Sequence, residues 1–203
     1  MNRQPGSFVY KSQYPCSAED LYLYHSRPGA LERLLPPWEK TTIISKQGTI
    51  SPGSRVKLKM YAGPFPFHFH AHHIEDQPGK MFRDIQEKGP FSSWSHTHYF
   101  QNTEKGSLLE DRIEYTLPGH RYLPSFVTNH IEKKLTSIFQ QRQRTLSADI
   151  TLHQRCSQIP LKILITGASG VLGKALIPLL TTGGHTVWTL VRRHPDPERK
   201  NGR

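Results

Sequence analysis

Polar and apolar residues alternate along much of the first half of the chain. In 55–61, Val56, Leu58 and Met60 face one way, while Arg55, Lys57 and Lys59 face the other. That period of two predicts a strand with one wet face and one face over a core or cavity. Strand-like segments follow one another at 41–46, 55–61, 65–74, 80–87, 92–101 and 107–117. The breaks between them are turn chemistry: Ser51-Pro52-Gly53, Gly63-Pro64, Gln77-Pro78-Gly79, Lys88-Gly89-Pro90 and Glu104-Lys105-Gly106. Strands spaced by turns with no helix between them predict an antiparallel meander. Ahead of it, 8–14 reads as a strand. Ser17 can cap a helix over 18–25, with Glu19 and Asp20 in its first turn. A second short helix is predicted over 30–35, ended by Pro36-Pro37.

After Pro118 the period changes. Phe126, Val127, His130, Ile131, Leu135, Ile138 and Phe139 recur at helical spacing, which predicts one long amphipathic helix over 125–147. Its apolar stripe needs a partner, and a curved sheet can supply one. Residues 151–160 read as a linker stopped by Pro160. The remaining stretch, 161–203, has a different grammar. Residues 162–166 are a near-continuous apolar strand, 174–180 continue as a helix that Gly183-Gly184 can end, and 186–191 form a second strand. That is one βαβ unit.

Between its first strand and its helix lie Gly167, Ala168, Ser169, Gly170, Val171, Leu172 and Gly173. Glycines three apart in that setting suit a pyrophosphate. The first permits the tight turn, the second lets the backbone approach the phosphates, and the third lets helix and strand pack closely. The helix N-terminus adds free N–H groups. The stretch KILITGASGVLGKAL, followed by GHTVWTLVRR, resembles the epimerase-like branch of the extended short-chain dehydrogenase/reductase family. The resemblance implies an NAD(P)-binding Rossmann domain whose cofactor is held by residues 167–173. Arg192 and Arg193 stand where a carboxylate would hold a ribose hydroxyl, which favours NADP over NAD. The family's catalytic Tyr and Lys, four residues apart, have no counterpart here. The chain is therefore expected to be a fragment without hydride-transfer activity, and no catalytic residue is assigned.

The order of elements over 7–148 resembles the START-like helix-grip superfamily (SRPBCC), the polyketide cyclase/dehydrase and lipid-transport group. The string RPGALERLLPPWE looks like the opening of the START-like domain that some bacterial epimerase-like proteins carry before their Rossmann domain. The expected fold class is α+β: a START-like domain over 1–150, a linker over 151–160, and the first βαβ unit of an incomplete Rossmann fold over 161–203. The resemblance implies a mostly apolar cavity between sheet and helix and a hydrophobic small-molecule ligand. Two functions follow as expectations. One is a fragment of an NAD(P)-dependent epimerase or oxidoreductase with a ligand-binding domain. The other is a stand-alone carrier or cyclase-type module for an apolar molecule.

The chain has 12 histidines, and 67–73 is the densest run. On a strand His68, His70 and His72 share one face, but neighbours on a face sit nearly 7 Å apart. They are read as solvent-facing or cavity-edge residues, and meeting at one ion would need His96 or His98 from another strand. No metal is assigned. Glu75 and Asp76 are expected to end their strand in a turn. Glu110, Asp111 and Glu114 are read as a wet sheet face, and Trp38 and Trp94 as core or cavity wall.

The net charge is +11, which raises nucleic acid and anionic membranes as partners. The excess lies in 121–162 and in the last dozen residues, without a run of five bases or a recognised nucleic-acid motif. It is read as a solvated helix face and a tail, with no nucleic-acid partner expected. No apolar run reaches the roughly 18–20 residues of a membrane span, and 1–8 lack the apolar core of a signal peptide. The two cysteines, Cys16 and Cys156, have no zinc or disulfide spacing and point to a reducing, cytoplasmic setting.

Overall fold

The computed structural model describes residues 6–119, 124–156 and 159–192. Seven strands form one antiparallel sheet in the order β1-β7-β6-β5-β4-β3-β2. They are β1 (Gly6–Tyr14), β2 (Thr42–Gln47), β3 (Arg55–Ala62), β4 (Phe65–Gln77), β5 (Met81–Lys88), β6 (Ser93–Thr103) and β7 (Gly106–Thr116). β2 to β7 make the predicted meander, and β1 closes the far side by pairing with β7. The chain crosses between the two edges through α1 (Ala18–Ser26) and α2 (Ala30–Leu34). Ser17 caps α1 by accepting from the Asp20 N–H at 3.0 Å.

Alternation decides what each strand buries. Val56 and Leu58 on β3 are buried, as are Leu109, Ile113 and Tyr115 on β7. Lying over this face is α3 (Ser125–Arg155), which buries Leu135, Phe139, Leu146 and Ile150. Phe139 sits against Phe8 and Tyr10, with ring centroids 5.6 and 5.7 Å away. The helix runs on through 151–155, where the composition predicts linker. The reason lies in what its last turns touch: Asp149 is 2% exposed and Ile150 is buried in the core, so tertiary contacts extend a weak helical pattern.

Trp94 packs on Phe91 and Tyr115 as expected. Trp38 does not belong to the core, since it is 52% exposed on the loop after α2. β4 also runs beyond the predicted turn at Glu75-Asp76, by means of an irregularity between His73 and Glu75. Asp76 stays in the strand and accepts a hydrogen bond from the Tyr22 hydroxyl at 2.6 Å.

The last described stretch is a two-stranded parallel sheet, β8 (Lys162–Thr166) with β9 (Thr186–Leu190), joined by α4 (Val171–Thr182). Two strands and a helix bury too little apolar surface to stand alone. Leu164, Trp188 and Leu190 are indeed exposed on the sheet. The unit docks through the C-terminal end of α4. Arg27 donates to the Thr182 carbonyl at 2.8 Å, His153 lies 3.3 Å from the Thr182 hydroxyl, and Thr182 has no exposed surface. Both thiols are free, with Cys16 buried and Cys156 exposed. No helix among the described residues is long and apolar enough to cross a membrane.

Candidate functional site

Between the sheet and α3 lies a cavity of about 20 Å³, room for roughly one water molecule. Tyr10, Ser12 and Tyr14 reach it from β1, His98 and Asp111 from β6 and β7, and Arg142 and Gln143 from α3. Leu109, Phe139 and Leu146 complete aromatic and aliphatic walls. The expected cavity is mostly apolar; among the described residues polar side chains take up much of this space. The Tyr10 hydroxyl donates to Gln143 at 2.6 Å, and Arg142 donates to the Leu34 carbonyl at 3.3 Å while covering the Phe139 ring.

Beside the cavity is a buried cluster that strand register assembles. His73 on β4 is opposite Asp84 on β5, Asp84 is opposite His96 on β6, and His98 is opposite Asp111 on β7. All five are buried. His96 Nε2 bonds Asp111 Oδ1 at 3.1 Å, and His98 Nδ1 lies 2.7 Å from the same oxygen. On its other side, His96 Nδ1 stands 3.8 Å from Asp84 Oδ2. His98 stacks on Phe82 with centroids 4.1 Å apart. Burial alone would push the Asp111 carboxyl up, but the His98 and His96 nitrogens facing it outweigh burial and hold it well below the usual carboxylate range. Burial pulls His98 well below its ordinary value, and pulls His25 and His73 down too. Among the described residues His73 Nδ1 and the Tyr115 hydroxyl are buried without a hydrogen-bond partner. One donor atom each from Asp84, His96 and His98 lies within 4.8 Å of the others. Such an arrangement can hold a cation or move a proton.

The histidines of the dense run are not brought here. His68, His70 and His72 face outward on β4, where His68 is exposed and His72 Nδ1 pairs with Glu87 at 3.0 Å. Their core-facing neighbours are Phe67, Phe69 and Ala71, which pair with Met60, Leu58 and Val56 of β3.

The glycine-rich turn joins β8 to α4. Gly167 has φ +69°, and the Gly170 N–H donates to its carbonyl at 2.9 Å. A Cβ on Gly173 would stand 2.5 Å from the Gly167 oxygen and 2.7 Å from the Ala168 Cα, so only glycine allows this approach of helix and turn. Gly170 is the N-cap and supplies no side-chain cap, which leaves the first N–H groups of α4 open to an anion. Ala168 and Ser169 form the turn itself, while Val171 and Leu172 are 87% and 84% exposed at the helix start. Arg192 is exposed just beyond β9, and Arg193 lies outside the described residues.

Residues 14–145 match the sequence profile of the family described as polyketide cyclase / dehydrase and lipid transport. The chain belongs to this family. No curated protein matches it. Among solved structures it resembles a nucleoside-diphosphate sugar epimerase from Corynebacterium glutamicum, with 28% identity and a TM-score of 0.73. That likeness covers 95% of this chain and 40% of the other, so the chain spans well under half the length of that relative. It is also similar to norcoclaurine synthase from Thalictrum flavum in complex with dopamine and hydroxybenzaldehyde, with 19% identity, a TM-score of 0.57, and 74% and 88% of the two chains covered. A third is the di-domain ARO/CYC StfQ of the steffimycin biosynthetic pathway, with 12% identity, a TM-score of 0.56, and 70% and 49% covered. The last two likenesses concern the fold alone.

The polyketide cyclase-type match contains the whole buried cluster, and α4 with its glycine turn lies beyond it. Reading Asp111 with Glu110 and Glu114 as a wet face is corrected: Asp111 is 4% exposed and shares its face with the buried Leu109 and Ile113. His96 and His98 were legible by the same signal, since they alternate onto one face with Trp94 and Phe100.

Proposed function

We propose that the polyketide cyclase-type domain is a small-molecule-binding module of the cyclase kind, and that its site is the pocket beneath α3. The observation that carries this reading is the pairing of aromatic walls with Asp111, Arg142, Tyr10 and Gln143 in one buried place. Such a lining favours an aromatic molecule bearing oxygen functions over a lipid chain, because an alkyl tail would leave buried polar groups unpaired. The closed pocket must open to admit one. No described residue of α3 before Leu135 is buried, so its first turns are the element that lifts at least cost. We expect 2-naphthol to bind, as read by quenching of the protein's fluorescence, and palmitate not to. Arg142→Met should weaken naphthol binding about tenfold, the loss of a charge-assisted hydrogen bond. Tighter binding of palmitate would overturn the reading. The free thiols support a reducing, cytoplasmic setting.

A second reading concerns 161–203, proposed as the opening of an NAD(P)-binding Rossmann domain in an epimerase-like protein. The enforced glycine at Gly173 and the uncapped start of α4 favour it. Calorimetric titration should give NADPH binding in the micromolar range, tighter than NADH if Arg192 and Arg193 take the 2′-phosphate. Gly173→Val should abolish it by displacing the turn. Absence of binding to either dinucleotide by the parent chain would remove this reading.

A further inference from the structure

We infer that Asp84, His96 and His98 form a binding site for a divalent first-row transition metal, with Asp111 orienting the imidazoles from the opposite side. The argument starts from His96. Its Nε2 bonds the Asp111 carboxylate, and an ionised carboxylate only accepts, so the proton sits on Nε2. Nδ1 is the nitrogen turned to the Asp84 carboxylate, 3.8 Å away. That distance is too long for a hydrogen bond. The carboxylate and the ring nitrogen face each other across a buried gap in which a cation can lie. Ligands about 2.1 Å from one ion can be up to about 4.2 Å apart, so the gap is already of the right size.

His98 supplies the third donor. Its ring is buried, and its Nδ1 lies 2.7 Å from Asp111 Oδ1, the carboxylate that also holds His96, which leaves the other ring nitrogen for an ion. The three donor atoms lie within 4.8 Å of one another, so closing on an ion needs side-chain movements of about 1 Å or less. Asp111 plays the part carboxylates commonly take behind metal-bound histidine, fixing the tautomer and the ring orientation. The adjoining cavity, lined by His98 and Asp111, has room for about one water, which would complete the coordination of an ion held by three protein ligands. Two imidazoles and a carboxylate suit zinc, iron(II) or cobalt(II), and not magnesium or calcium. Asp84 and Asp111 bring two negative charges, while Arg142 is turned toward the Leu34 carbonyl and the Phe139 ring.

The inference uses the cluster beside the proposed pocket but not the identity of any organic ligand. Metal uptake without naphthol binding would keep this proposal and remove that reading, and the reverse outcome would do the opposite. The test is calorimetric titration of the chelator-treated, tag-free chain with Zn²⁺, and with Co²⁺ followed by its visible absorption. One ion per chain is expected. Asp84→Asn and His98→Gln should each weaken uptake at least tenfold, and Asp111→Asn by about 10–100-fold. His68→Gln with His70→Gln should leave it unchanged. Should a cluster variant fail to fold, imidazole ¹⁵N resonances of the unaltered chain decide: Zn²⁺ must shift those of His96 and His98. No uptake, or shifts confined to the outward histidines, overturns the proposal.

Discussion

Replacing Asp149 with Ala should lower the unfolding free energy by about 3 kcal/mol, measured by urea denaturation. Its carboxylate is buried near the end of α3 and ties three helices together. Arg33 of α2 grips it with two nitrogens, Nε at 2.8 Å and Nη2 at 2.5 Å, and the Tyr24 hydroxyl of α1 donates at 2.7 Å. Truncation leaves the guanidinium and the hydroxyl facing an apolar gap. The range for breaking a buried pair is about 3–5 kcal/mol. The lower end applies because the Arg33 side chain keeps 26% of its surface exposed and can find water. Asp149→Asn keeps the shape, loses the charge, and should cost about half as much. A loss under about 1 kcal/mol for Asp149→Ala would mean that packing of Tyr24 and Leu146, not this ion pair, holds the helices.

The second large effect is expected at Gly29, between α1 and α2. It has φ +92°, and a Cβ there would stand 2.7 Å from the Pro178 Cα and 2.5 Å from the Thr181 hydroxyl of α4. Gly29→Val meets both the cost of a left-handed backbone and a clash with another element's main chain. Together these should cost about 2–4 kcal/mol. The cost falls on the seam between the two parts of the molecule, so hydrogen exchange locates it. Amides of β8, β9 and α4 should exchange about 30-fold faster or more, while those of β6 and β7 should change little. Uniform acceleration across the whole chain would place the damage in the helix-grip domain instead.

Most of the architecture was readable because strand alternation, turn residues and the switch to helical period carry it directly. The cluster was harder to see for a specific reason. The conspicuous histidines, His68, His70 and His72, alternate with Phe67 and Phe69, and the aromatic residues take the inner face. His73 is one residue out of phase with them and therefore turns inward. Asp111 likewise falls in phase with Leu109, Ile113 and Tyr115, although its acidic neighbours suggest a solvated strand. What alternation cannot supply is register. The meeting of Asp84 with His96, and of His98 with Asp111, depends on how far each hairpin slides before it pairs. Asp149 was invisible for a related reason, since a lone acid near a fading helical pattern gives no hint that two other helices converge on it.

The sheet order has a consequence for how the chain is made. β1 and β7 pair over their whole length, with Gly6 opposite Tyr115. A ribosome adding about 5–20 residues per second exposes the first strand for roughly 5–20 s before its partner exists. During that wait β1 is an open edge, and the helices that follow it lack the floor they pack on. Its alternating Lys11 and Gln13 keep one side of that edge polar, which discourages pairing with a neighbouring nascent chain. Folding of the domain is thus gated by synthesis of its seventh strand, and a high proportion of distant contacts makes the final closure slow.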